Sequence, residues 1–173
     1  MLNFSNRALR WLTVGAAIAA VGLLKAAPAQ AQAAYGSYIG AGGALGLSND
    51  DDGDGDGFGG VIAGRYKLLR LPISVRAQAF LFNGDVAVVP TVSYDYPINF
   101  QTDIYLGAGL SIPTGDDPSP VGDQTSFVIQ PGVDYALPNS NLVIFGNAVF
   151  AFDAFEEGGG TATSIQGGVG YQF

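Results

Sequence analysis

The sequence predicts an all-β fold, an eight-stranded antiparallel up-and-down transmembrane β-barrel preceded by a signal peptide. Three observations predict it. The first residues carry an export address and then give way to segments of strict two-residue alternation. Eight such segments of about ten residues follow one another, which suits a meander of hairpins. Their apolar faces carry no ionised side chain, while the opposite faces do.

The address comes first. Arg7 and Arg10 precede an uncharged run from Trp11 to Leu24, followed by Lys25 and Ala-Pro-Ala-Gln-Ala-Gln-Ala. Fourteen residues rise roughly 21 Å as a helix, short of the roughly 30 Å hydrocarbon core. Residues 1–33 are therefore expected to be a cleaved signal peptide, cut after Ala31 or Ala33, rather than an uncleaved anchor. Residues 34–173 are expected to form the barrel.

The strands are expected at 35–47, 58–68, 73–82, 87–96, 100–112, 125–136, 142–152 and 161–173. The first is dense in glycine over 36–46, with Tyr35 on the apolar face. The second sets Arg65 and Lys67 on the polar face and Tyr66 on the other. In the third, Ile73, Val75, Ala77, Ala79 and Leu81 oppose Ser74, Arg76, Gln78 and Phe80, because successive side chains of a strand point to opposite faces. The fourth places Asp95 inward between Tyr94 and Tyr96. In the fifth, Ile104, Leu106, Ala108, Leu110 and Ile112 oppose Asp103, Tyr105, Gly107, Gly109 and Ser111. The sixth carries Asp134 beside Tyr135. Pro90 and Pro131 remove ladder donors from the fourth and sixth, where bulges are expected. The seventh is apolar on both faces through Val143, Phe145 and Val149. The eighth ends on Val169, Tyr171 and Phe173, all on one face. Inward glycines leave room in a narrow lumen for Tyr38, Phe80, Phe82, Tyr105 and Phe145.

Connections alternate. Residues 69–72, 97–99 and 138–141 are tight, whereas 48–57, 113–124 and 153–160 are longer and acidic. Twelve of the fifteen acids fall at the loop end: Asp50, Asp51, Asp52, Asp54, Asp56, Asp85, Asp116, Asp117, Asp123, Asp153, Glu156 and Glu157. The remaining Asp95, Asp103 and Asp134 share the strands' polar faces with Arg65, Lys67 and Arg76. A water-soluble barrel would expose charge and keep an apolar lumen; the reverse is what lipid requires, since Arg or Lys at the bilayer midplane costs about 2–4 kcal/mol. Tyr35, Tyr66, Tyr94, Tyr96, Tyr135 and Tyr171 gather on the apolar face near the tight turns, where an apolar ring with a polar tip meets a membrane interface.

The inward charges form the candidate site. Three cations and three anions at similar depth predict a plug of ion pairs, Arg76 with Asp95 across neighbouring strands and Arg65 with Asp134 across the lumen. A loosely hydrated polar lining is the other outcome.

The signal peptide, the eight strands and the aromatic final residue Phe173 together resemble the small eight-stranded outer-membrane β-barrel proteins of the OmpA/OmpX-like superfamily. The resemblance implies that Val169, Tyr171 and Phe173 are an assembly signal, read by the outer-membrane assembly machinery after passage past periplasmic chaperones. It also implies that the acidic loops end outside the cell. A peptidoglycan-binding domain, the cell-wall tether of full-length OmpA proteins, is not expected here.

Function follows from what is missing as well. The chain has no Cys and no His, which removes thiolate chemistry, the Ser-His-Asp arrangement and most zinc sites, so no enzyme and no cofactor are expected. Without residues 1–33 the chain keeps 4 of its 7 Lys and Arg and all 15 acids, a net charge of 4 − 15 = −11, which excludes a nucleic-acid partner. Residues 52–57 imitate the start of an EF-hand loop, yet Ala63 stands where the bidentate Glu belongs; at most weak divalent-cation binding at the acidic loops is expected. Residues 55–60 satisfy G-x-G-x-x-G but open a strand, not a helix, so no phosphate site is expected. The expected function is an integral outer-membrane barrel with a largely closed, ion-paired lumen and a structural or surface-interaction role. A narrow porin-like channel for ions or small solutes is the alternative.

Overall fold

The computed structural model describes residues 36–47, 57–68, 70–82, 85–114, 119–155 and 160–173. The expected signal peptide, Tyr35, most of the acidic loops and the EF-hand-like run lie outside the described residues. Eight strands form one closed antiparallel barrel in sequence order: β1 (Tyr38–Gly46), β2 (Phe58–Leu68), β3 (Ile73–Phe82), β4 (Asp85–Pro97), β5 (Thr102–Pro113), β6 (Ser126–Ala136), β7 (Leu142–Phe152) and β8 (Thr161–Gln172). All eight expected segments are strands, with ends moved by at most three residues, and closure of β1 on β8 leaves no free edge.

The register fixes the tilt. Paired residues followed once around the barrel run Tyr38, Arg65, Arg76, Thr91, Gly109, Val128, Ala151, Ala162. Tyr38 itself faces Gln172 on β8, so one circuit gains ten residues, from 162 to 172. Such a stagger requires strands tilted by about 35–45° to the barrel axis. Side chains at one depth therefore come from residues that are not directly paired.

Alternation sorts the two faces as the sequence predicts. Ile62, Val75, Val92, Leu106, Val133, Ile144 and Ile165 point outward, while Val61, Phe80, Val89, Val128 and Val149 are buried inside. Among the described strand residues no ionised side chain faces out. Tyr66, Tyr94, Tyr96, Tyr135 and Tyr171 form an outward belt at the tight-turn ends of their strands. Phe58, Phe127 and Phe152 mark the opposite rim, with Phe127 and Phe152 stacked at 6.3 Å.

Bulges at Pro90 and Pro131 do not form. The pairing of β4 with β5 keeps one register from Val88–Ile112 to Thr91–Gly109, and that of β6 with β7 from Ile129–Phe150 to Gly132–Asn147. Each proline interrupts the ladder on one side for two rungs, and the other side remains continuous. In an antiparallel strand a residue's N–H and C=O face the same neighbour, so a missing donor weakens one side only and no extra residue is needed.

Candidate functional site

The lumen is built in storeys, and the lowest, at the tight-turn end, holds the six charges. Arg65 comes from the end of β2 and Arg76 from the start of β3, where the two face each other directly; Asp103 and Asp134 face each other across β5 and β6 in the same way. Like charges directly opposite destabilise a sheet. Closure resolves both conflicts, because the cationic β2–β3 wall meets the anionic β4–β6 wall across the lumen.

Arg65 places Nη1 2.9 Å from Asp134 Oδ2 and Nη2 2.9 Å from Asp95 Oδ2 and 2.7 Å from Asp103 Oδ2. Arg76 Nη2 lies 2.8 Å from Asp134 Oδ2 and 3.2 Å from Asp95 Oδ1. Lys67 Nζ is 2.8 Å from Asp103 Oδ2. Asp95 and both arginines are almost fully buried, whereas Lys67 and Asp103 stand at the open edge. Three cations meet three anions, so the cluster is neutral, which a buried site of this density requires.

Neutral side chains supply the remaining bonds. Arg65 Nε donates to Ser74 Oγ at 3.1 Å and Arg76 Nε to Ser93 Oγ at 2.9 Å; both hydroxyls donate in turn to Asp95. Tyr38 donates to Asp134 Oδ1 at 3.0 Å. The Arg76 guanidinium lies 3.3 Å from the centre of the Tyr105 ring, a cation–π contact. Gly132 makes that ring possible, since a Cβ there would stand 2.4 Å from the Tyr105 hydroxyl. Sequence reasoning placed Tyr38 and Tyr105 in the lumen as bulk and passed over Ser74 and Ser93. For Ser74, Ser93 and Tyr105 a signal was present, since each stands one inward position from a charge, Arg76, Asp95 and Asp103 respectively.

The middle storey consists of amides. Thr91 Oγ1 donates to Gln130 Oε1 at 2.7 Å, Gln130 Nε2 donates to Asn147 Oδ1 at 3.0 Å, and Gln166 Nε2 donates both to Asn147 Oδ1 and, at 3.1 Å, to Gln78 Oε1. This chain spans five strands and carries no net charge.

Above it the lumen is largely apolar, with Val61, Phe80, Phe82, Val89, Val128, Val149 and Ala151 buried, Phe80 stacked on Phe82 at 6.4 Å, and Ser111, Ser126 and Ser164 buried among them. Two loop segments cover this end. Val121, Ala154 and Phe155 are buried over the mouth. Ser111 on β5 donates to the Val121 carbonyl at 3.2 Å, the Asp123 amide to the Ala154 carbonyl at 3.0 Å, and Gln124 Nε2 to the carbonyls of Asp153 and Phe155, each at 2.9 Å. Gly122 adopts φ 95°, a left-handed conformation that favours glycine, and a Cβ there would collide with the Ala154 carbonyl.

At the opposite mouth, Arg65, Asp103 and Asp134 line a small recess with Gln101, Val143 and Gln172. Val169, Tyr171 and Phe173 project outward from β8, where Val169 and Tyr171 pair with Ala41 and Ile39 of β1. Among the described residues no group of three or more His, Cys, Asp or Glu side chains is placed to hold a metal ion.

No protein-family model and no curated relative matches the chain. Solved structures do. Neisserial surface protein A is 19% identical, with 79% of this chain and 97% of that one covered and a TM-score of 0.56. The Yersinia pestis outer membrane protein Ail, in a phospholipid bilayer nanodisc, is 18% identical over 80% of this chain and 99% of its own, at a TM-score of 0.53. A de novo designed transmembrane β-barrel is 12% identical, covering 79% and 94%, at 0.52. A designed sequence among these neighbours shows that the likeness is one of architecture: the chain has the fold of the small eight-stranded outer-membrane β-barrels, as its resemblance to the OmpA/OmpX-like superfamily implied.

Proposed function

We propose that this chain is an integral outer-membrane protein that works as a closed peg, stabilising the envelope or making surface contacts through its loops, and that it is neither an enzyme nor an open pore. The observation that carries this reading is the filled lumen: ion pairs, an amide chain, an apolar storey and a loop cover succeed one another along the axis. The six charges act together as the plug, and their neutrality leaves no net field to draw ions through. The lack of His and Cys supports a non-enzymatic role. Residues 1–33 would export the chain. The outer-membrane assembly machinery would then read Val169, Tyr171 and Phe173 on the lipid-facing side of β8.

The recess beside Arg65, Asp103 and Asp134 favours a second reading, a narrow channel for ions or small solutes entered from the tight-turn end. Planar-bilayer recordings separate the two. The peg gives no stable conductance step, and a reproducible step from the purified barrel would overturn it. A heat-modifiability gel on membrane fractions supplies the companion measurement: unboiled and boiled samples should migrate differently.

A further inference from the structure

The seam where β1 meets β8 closes the barrel, and its own side chains do little to fix its register. Gly40 faces Gly170, Gly42 faces Gly168 and Gly43 faces Gly167. The backbones are close there: a Cβ on Gly42 would stand 2.0 Å from the Gly167 carbonyl oxygen, and one on Gly168 2.3 Å from that of Ala41. A slide of one residue is forbidden, because it would turn every seam side chain to the wrong face. A slide of two residues keeps every side chain on its face and again sets glycine against glycine, Gly40 opposite Gly168. Glycine-rich strands specify register weakly for this reason.

Two rings cross the seam from inside. Tyr38 leaves β1 and lies over β8, its Cδ2 2.8 Å from where Gly170 would carry a Cβ. It stacks on Phe145 of β7, ring centres 5.8 Å apart and 17° from parallel, and its hydroxyl donates to Asp134 of β6. Phe145 runs the other way, with ring atoms 2.7 Å from the position of a Gly168 Cβ and 3.0 Å from that of Gly40. One side chain of β1 is thereby tied to β8, β7 and β6 together.

We propose that Tyr38 and Phe145 form an aromatic latch, seated on the glycines of β1 and β8, that fixes the register at which the barrel closes. A two-residue slide would carry Tyr38 about 7 Å along the seam, off the Phe145 ring and out of reach of Asp134. The glycines are the complement of the latch, leaving the floor on which the rings lie.

The chain has no native Cys, so introduced pairs read the register directly. Leu45 and Ile165 are direct partners facing lipid, and Thr163 and Gly167 flank Ile165 by two residues on either side. Leu45→Cys is combined with Ile165→Cys for the native rung, and with Thr163→Cys or Gly167→Cys for the slides; disulfide formation is scored in membrane fractions. The parental chain crosslinks at the native rung alone. Tyr38→Leu and Phe145→Leu each raise a slid crosslink at least about tenfold over the parental background. Phe80→Leu, which removes an equally buried lumen ring away from the seam, leaves the register unchanged. Native crosslinks alone in Tyr38→Leu, or equal sliding in Phe80→Leu, would overturn the latch. Should Tyr38→Leu yield no heat-modifiable band, Phe145→Leu decides: it keeps the bond from Tyr38 to Asp134 and loses the stacked ring, and a slid crosslink no higher than parental would likewise end the proposal.

Discussion

At the tight-turn end the lumen holds Arg65, Lys67, Arg76, Asp95, Asp103 and Asp134, whereas at the loop end it holds Val61, Phe80, Phe82, Val89, Val128 and Val149 under Val121 and Phe155. Both ends are filled, but by forces with different consequences for a missing partner. In the ionic storey the buried groups share named counter-charges, so removing one leaves an uncompensated charge buried among the rest. In the apolar storey the contacts are many and individually weak, so a deletion costs in proportion to the atoms lost. A barrel of this width thus has one end that tolerates partial change and one that does not.

The sharpest break should come from Arg76→Met. It leaves Asp134 and Asp95 short of a cation and strips the cation from Tyr105, so about 3–5 kcal/mol of unfolding free energy should be lost, read from denaturant midpoints of the refolded barrel. Ile62→Arg tests the outside against the inside. It puts a cation midway along β2 on the lipid face, and a loss of about 2–4 kcal/mol in bilayers is expected. Were that variant neutral, the outward face would not be meeting hydrocarbon. Val149→Ala removes two buried carbons from the apolar storey and should cost about 2 kcal/mol, clearly less than Arg76→Met; equal losses would erase the contrast between the ends. Ser93→Ala is the mildest change. It takes one hydroxyl from between Arg76 and Asp95, whose direct contact survives, and about 1–1.5 kcal/mol should go.

Much of this arrangement is legible along the chain. The alternation in 73–81 and 102–112 assigns Arg76, Asp103 and Tyr105 inward before any contact is known, and the tyrosines beside the tight turns mark one membrane boundary. The proline residues show where such reading stops: a donor count at Pro90 and Pro131 suggests a bulge, yet whether an extra residue is inserted depends on both neighbouring strands. The amide chain was illegible for a related reason. Gln78, Thr91, Gln130, Asn147 and Gln166 look like scattered polar positions until tilt brings five strands to one depth. The loop cover was missed because Val121, Ala154 and Phe155 belong to no alternating segment.

By itself the sequence determined which face each side chain takes, where strands turn, and that charge stays off the lipid side, because a two-residue period is a property of neighbours along one strand. Tertiary structure decided the rest of the pairing, Arg65 with Asp95 and Asp103 and Arg76 with Asp134, which no argument from strand order supplied. Direct pairing sets Arg65 against Arg76 and Asp103 against Asp134, a repulsive arrangement in any open sheet. Only closure, with a stagger of ten residues around the ring, brings the two walls face to face, since contact across a lumen depends on circumference and tilt rather than on any local pattern.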